Sequence, residues 1–185
     1  MKIIDLNNYT NILKWFKKLD FSHLSLVSPH FATDIDIITN YKNITSLGLY
    51  NIIKLPNVYL FKNLDINSLT LNFASDCLSN GEIVTNNTIE TLLFCNINSL
   101  PNYIFNFNSL KNLDLRFSTD INYKENNYIL NLCKMLSNCK LIENITIVGN
   151  HNLRISQLEF DSLFDTFKNL KTLNIIDETL KKKLR

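Results

Sequence analysis

Glycine occurs only at Gly48, Gly81 and Gly149, too scattered to build a loop that cradles phosphate with backbone N–H groups. The only histidines, His23, His30 and His151, form no HExxH pair and no close metal pair with cysteine. Cys77, Cys95, Cys133 and Cys139 contain no CxxC, so neither a zinc site nor a dense disulfide framework is written; four reduced thiols are expected. No apolar run approaches the ~18 residues of a membrane span. The start, MKIIDLNNYTNILKWF, lacks the basic segment and continuous apolar stretch of a secretory signal. A cytoplasmic protein is the expectation. A net charge of +2 implies no strong electrostatic partner, so nucleic acid and membrane are disfavoured. Nothing catalytic is left: no enzyme, no cofactor and no metal is expected.

Alanine appears only at Ala32 and Ala74 and arginine only at Arg116, Arg154 and Arg185, while asparagine reaches 29 copies. Residues with GC-rich codons are scarce, which reads as an AT-rich genome. Hydrophobic residues make up 45% of the 185 and interrupt the asparagines throughout, as suits one folded domain rather than a low-complexity tract.

What is present is repetition. ITSLGLYNIIKLP from Ile44 and IETLLFCNINSLP from Ile89 share one skeleton. The pattern apolar-x-x-Leu-x-Leu recurs as Phe16, Leu19, Phe21; Ile44, Leu47, Leu49; Ile66, Leu69, Leu71; and Ile89, Leu92, Phe94. It continues as Leu110, Leu113, Leu115; Ile142, Ile145, Ile147; and Leu170, Leu173, Ile175. The central residue advances by 28, 22, 23, 21, 32 and 28 positions. Periods in the twenties with this core signify stacked coils that cannot bury their apolar faces alone.

On these residues the chain resembles the leucine-rich-repeat family over positions 16–178. The resemblance implies an α/β solenoid of about seven coils, with a parallel sheet on the concave face and a convex side of short helices and irregular returns. The next apolar slot of the family pattern fits through Leu55, Cys77, Leu100, Ile121 and Leu153. The slot for the family asparagine holds Ile52, Ala74, Ile97, Ser118 and Asn150, with Asn51 and Asn96 one residue earlier as candidates to replace it. The domain then divides into an N-terminal helical cap (1–18), the repeats (19–178) and a C-terminal cap or tail (179–185).

The short returns carry Pro56 and Pro101 and are expected without long helices. The longer ones have room. SQLEFDSLFDTF places Leu158, Leu163, Phe164 and Phe167 near one helical face, with Ser156-x-x-Glu159 as a capping box. ENNYILNLCKMLSN does likewise through Tyr128, Leu132, Met135 and Leu136. ATDIDIITNY is a shorter candidate through Ile35 and Ile38. Tyr9, Ile12, Leu13 and Phe16 make the capping helix amphipathic, and Leu180 and Leu184 close the other end. Lys181, Lys182 and Lys183 either suit a helix C-terminus or form a nuclear or nucleic-acid signal.

In a strand, the residue between two core leucines points outward. The outward set is read as Asp20, Gly48, Thr70, Leu93, Asp114, Thr146 and Asn174. The residue after the second core position gives Ser22, Tyr50, Asn72, Cys95, Arg116, Val148 and Ile176. Phe73 and Phe117 come next, either outward or turned back into the core rim. Aromatic and arginine side chains among small polar ones are what protein interfaces favour. Tyr50, Phe73, Leu93, Asp114, Arg116 and Phe117 are therefore the candidate partner-binding residues. Solenoids similar to this one mostly bind proteins, and the resemblance implies a non-catalytic protein-interaction module. The alternatives are an adaptor arm of a larger complex, such as a ubiquitin ligase, and, on the lysine tail alone, an RNA-binding repeat protein.

Overall fold

Strict alternation writes the strands. In Leu47-Gly48-Leu49 and Leu69-Thr70-Leu71 the leucines are fully buried and the residues between lie on the opposite face, as a pleated backbone requires. The computed structural model describes residues 3–5, 22–27, 43–53, 55, 61–74, 81–97, 100, 102–118, 128–149 and 155–177, without the side chains of 3–5 and 27. The strands are β1 (Ile3–Asp5), β2 (His23–Val27), β3 (Ser46–Ile52), β4 (Ser68–Phe73), β5 (Ile83–Asn86) and β6 (Thr91–Ile97). They continue as β7 (Ile104–Phe107), β8 (Asn112–Phe117), β9 (Asn144–Gly149) and β10 (Thr172–Asp177), with helices α1 (Tyr128–Met135) and α2 (Gln157–Thr166). The class is α/β.

Eight strands form one parallel sheet in the order β1-β2-β3-β4-β6-β8-β9-β10. Each strand lies beside the next one of the same kind, with a return segment between them, a solenoid-like arrangement. The register aligns Leu24, Leu47, Leu69, Leu92, Leu113, Ile145 and Leu173 in one column. Leu26, Leu49, Leu71, Phe94, Leu115, Ile147 and Ile175 form the next. Just before β2, β3, β4, β6, β8 and β9, one carbonyl accepts two successive N–H groups of the following turn of chain. Ser22 serves Thr45 and Ser46, Thr45 serves Asn67 and Ser68, and the series runs on through Asn67, Glu90, Lys111 and Glu143. The backbone N–H groups at the starts of β3, β4, β6, β8, β9 and β10 are thereby satisfied within the stack.

The first turn of chain differs from its sequence reading. Its core pair is Leu24 and Leu26, in register with Leu47 and Leu49, not Leu19 and Phe21. FSHLSL fits the same template in a later frame, and only the register with β3 selects it. The first spacing is thus 23, not 28. A further strand, β1, precedes it, where the sequence reading placed only a helical cap. Tyr9, Ile12, Leu13, Phe16, Ile35, Ile38, Leu180 and Leu184 lie outside the described residues.

The returns are more regular than expected. β5 and β7 pair in parallel as a second, two-stranded sheet, so these two segments are strands rather than irregular chain. Val84, Phe105 and Phe107 point inward and are fully buried. Phe105 packs edge-on against Phe94 of the large sheet at 5.8 Å and against Phe107 at 5.2 Å. Asn86, 1% exposed, satisfies the turn around it. Its Nδ2 donates to the carbonyls of Phe61 (2.7 Å) and Leu64 (2.9 Å), and its Oδ1 accepts from the N–H groups of Thr88 (2.7 Å) and Ile89 (2.8 Å). The longer returns carry the helices. α1 buries Tyr128, Leu132 and Met135, with Leu136 just beyond it also buried. α2 starts with the capping box of Ser156 and Glu159. Leu163 and Phe167 are buried there, but Leu158 and Phe164 are 66% and 42% exposed, because α2 belongs to the last described turn of chain.

Cys139 extends the edge of β7: its Sγ accepts from the Phe107 N–H at 3.5 Å and donates to the Phe105 carbonyl at 3.4 Å. Burial pushes this thiol up to about 11 from the ordinary 9.0. The unfolded chain releases its proton first, so stability from this group is complete below about pH 9 and is lost between about 9 and 11. The stability difference between the wild type and Cys139→Ala should shrink across that window in urea titrations. A difference constant from pH 8 to 11 would contradict the assignment.

Leu92 has a strand on each side and no exposure. Leu92→Ala should cost ~2–5 kcal/mol through lost transfer energy and a cavity. Leu173→Ala, in the half-buried end strand, should cost less. Denaturant midpoints at equal slope measure both, and equal midpoints would sink the ranking.

Candidate interface on the sheet face

The outward side of the large sheet follows from the same pleat that fixes the core. Three rows cross it. The first holds Ser46, Ser68, Thr91, Asn112, Asn144 and Thr172; the second holds Gly48, Thr70, Leu93, Asp114, Thr146 and Asn174. The third holds Tyr50, Asn72, Cys95, Arg116, Val148 and Ile176. Gly48 and Val148 are buried and the others are partly or fully exposed. From Ser46 to Thr172 the first row is hydroxyl and amide, with His23 of β2 beside Ser46, and Asn144 donates across it to Asn112 at 2.8 Å.

Tyr50 lies along this face rather than projecting from it. A Cβ at position 48 would stand 2.8 Å from Tyr50 Cε2 and 3.2 Å from Ser25 Oγ, so only glycine leaves room for the ring. The Tyr50 hydroxyl hydrogen-bonds with Ser25. Burial, then the neighbouring Cys95, raises the Tyr50 phenol, with the Ser25 bond opposing. Burial likewise raises the Cys95 thiol, against the Asn72 hydrogen bond and the charge of Arg116. Both groups are neutral at neutral pH. Arg116 folds back on its own strand, donating to Asp114 Oδ2 through Nε (3.2 Å) and Nη2 (2.9 Å). The main opposite charges of the face therefore compensate each other, while Asp114 Oδ1 is buried without a hydrogen-bond partner.

Tyr50, Leu93, Asp114 and Arg116 thus share one surface, as the sequence reading placed them. Phe73 and Phe117 do not: each is 8% exposed and part of the core. The reason is a count of residues. Phe73 stands two residues after Leu71, so the pleat returns it inward, and it pairs with Ile52. Between Leu49 and Ile52 there are two residues instead of one, and the register shifts there. Asn51 absorbs the extra residue at φ 55°, a left-handed conformation that asparagine tolerates. Asn96 repeats the device at φ 53°, with Ile97 opposite Phe117.

Asn72 spans the two bulges. Its Oδ1 accepts from the Asn51 N–H at 3.0 Å and its Nδ2 donates to the Cys95 carbonyl at 2.8 Å. One amide side chain thereby bonds the backbones of the strands on both sides where the ladder is broken. The sequence reading placed Asn72 on this face without that role. It omitted the first row, although the same period of two, carried one step before each core leucine, marks those residues.

Cys95, Cys133 and Cys139 are free thiols; Cys77 lies outside the described residues. Among the described residues no three His, Cys, Asp or Glu side chains group as metal ligands, and no helix is long and apolar enough to cross a membrane. No protein-family model, curated protein or solved structure matches the chain.

Asn72→Ala leaves a backbone N–H and a carbonyl without this partner and should cost about 1–3 kcal/mol. Asn72→Asp, which keeps the acceptor and loses the donor, should also destabilise. Thermal or urea unfolding checks both, and wild-type stability in the alanine variant would remove the bridge from the account.

Proposed function

We propose that this protein is a non-catalytic interaction module of the leucine-rich-repeat type, and that it binds a partner protein on the outward face of its large sheet. The observation that carries this reading is the composition of that face. Small hydroxyl and amide residues repeat across it around a half-exposed Leu93, a flat Tyr50 and an exposed Arg116. A large rigid surface with apolar and aromatic anchors among small neighbours suits a protein partner. The self-compensated Asp114–Arg116 pair leaves little excess charge there, which disfavours nucleic acid. The columns of inward leucines and the repeated strand-start hydrogen bonds support the family resemblance. The free thiols support a reducing compartment such as the cytoplasm.

The test is partner capture with three proteins: the wild type, the face variant Thr70→Arg/Leu93→Glu, and Lys134→Glu on the opposite side in α1. A partner should bind the wild type and Lys134→Glu alike. The face variant should lose at least ~2 kcal/mol, roughly thirtyfold in Kd, while keeping its unfolding midpoint. Equal affinity for all three would place binding elsewhere.

A further inference from the structure

The chain carries four Asn-x-Ser/Thr triplets, at Asn8, Asn43, Asn86 and Asn144, the acceptor sequence for N-linked glycans. Asn8 lies outside the described residues. Asn43 is exposed in a turn, and Asn144 is partly exposed in the first row of the sheet face. Both reach solvent. Asn86 is different: it is 1% exposed and ends β5, where the chain turns toward β6. Around it Phe61, Leu64 and Ile89 are buried as well.

Both hydrogens of the Asn86 carboxamide are engaged. Nδ2 donates to the Phe61 carbonyl at 2.7 Å and to the Leu64 carbonyl at 2.9 Å. The opposite orientation of the amide would turn its NH2 group toward two donors, the N–H groups of Thr88 and Ile89 that Oδ1 now accepts. Thr88, the third residue of the triplet, is engaged too: its hydroxyl lies 2.9 Å from the Ile66 carbonyl and 3.2 Å from that of Leu64. N-glycosylation replaces one Nδ2–H by a bond to the anomeric carbon of a sugar. The sugar leaves the diphosphate of a lipid-linked oligosaccharide donor, and that diphosphate takes the displaced proton. Whichever hydrogen is lost, the new carbon is aimed at a carbonyl oxygen. A single C–N bond of about 1.45 Å would put it roughly 2 Å or less from that oxygen, against ~3.3 Å for a close C···O contact.

We propose that a glycan on Asn86 and this fold exclude each other, and that the protein therefore matures where N-glycosylation does not reach it. Glycan transfer acts on the chain before it folds, when Asn86-Asn87-Thr88 is as open as any other triplet. A chain modified there loses the side chain on which four backbone groups converge, and buried backbone groups need partners. The damage is not local, because the turn at Asn86 delivers β6 to the middle of the large sheet. The free thiols agree with such a compartment. Asn86 adds a reason of another kind, since the native packing itself forbids the modification. The inference is independent of the sheet face and of any partner bound there.

The test uses the full chain as Asn8→Gln/Asn43→Gln/Asn144→Gln, which keeps only the Asn86 triplet. It is produced in a cytosol, then behind an added signal peptide in the endoplasmic reticulum of a eukaryotic cell, and there again with synthesis of the lipid-linked donor blocked. The cytosolic product should be soluble, protease-resistant and free of sugar by intact mass. In the reticulum, Asn86 should carry a glycan in aggregated or protease-sensitive chains, and the resistant fraction should lack it. Blocking donor synthesis should restore the resistant fraction. The wild type, mapped site by site, repeats the comparison without substitution: Asn86 should be bare in every resistant chain. A protease-resistant chain glycosylated at Asn86, with the circular dichroism of the cytosolic product, would overturn the proposal. So would a resistant fraction that does not return when the donor is withheld, or an Asn86 that stays bare in aggregated and resistant chains alike.

Discussion

Every turn of this chain has an apolar side too small to close on itself, and the parallel register of the large sheet solves that for all of them at once. Leu69 is buried because Leu47 and Leu92 flank it in the same column. The carbonyl just before six of its strands, β2, β3, β4, β6, β8 and β9, supports this alignment by holding two N–H groups of the next turn. With inward positions set, the outward rows follow from the pleat without further instruction. The candidate interface is therefore a by-product of the core. Most of its residues do not define the stack; Gly48, which makes room for the Tyr50 ring, and Asn72, which bonds both bulged strands, are the exceptions.

The stack accommodates irregularity through asparagine. Two strands carry one residue too many, and Asn51 and Asn96 take it up in the left-handed region. The cost of a bulge is unpaired backbone, and Asn72 offsets it on both sides with one amide. Asn86 performs a comparable task at the return, where four backbone groups converge on a buried side chain. An amide suits each place because it donates and accepts at once. The abundance of asparagine in the composition thus includes positions where the fold depends on it.

Period and register were legible in the sequence where a strand has two leucines and a fixed distance to the next. Leu47, Leu69, Leu92, Leu113 and Ile145 fell into one column as the spacing implied. The capping box of α2 was legible because Ser156 and Glu159 act over one turn. The frame of β2 was not, since Phe21 belongs to two overlapping copies of the pattern and the choice rests on a neighbour in space. The short strands of the returns were hidden for a similar reason. Among the described residues IVTN of β5 and IFNF of β7 pair only with each other, 21 residues apart from Val84 to Phe105. Phe73 and Phe117 turned on a single residue: without the left-handed asparagines of the neighbouring strands, their true equivalence to Ile52 and Ile97 was invisible.

The outward face of the sheet asks for one kind of contact. The outward face offers rows of neutral hydroxyls and amides, with Arg116 and Asp114 satisfying each other. On the proposed reading, recognition there rests on shape and short-range hydrogen bonds, and long-range steering contributes little. The pleat alone decides which side chains reach that face, so the contact it can make follows from the same register that fills the core.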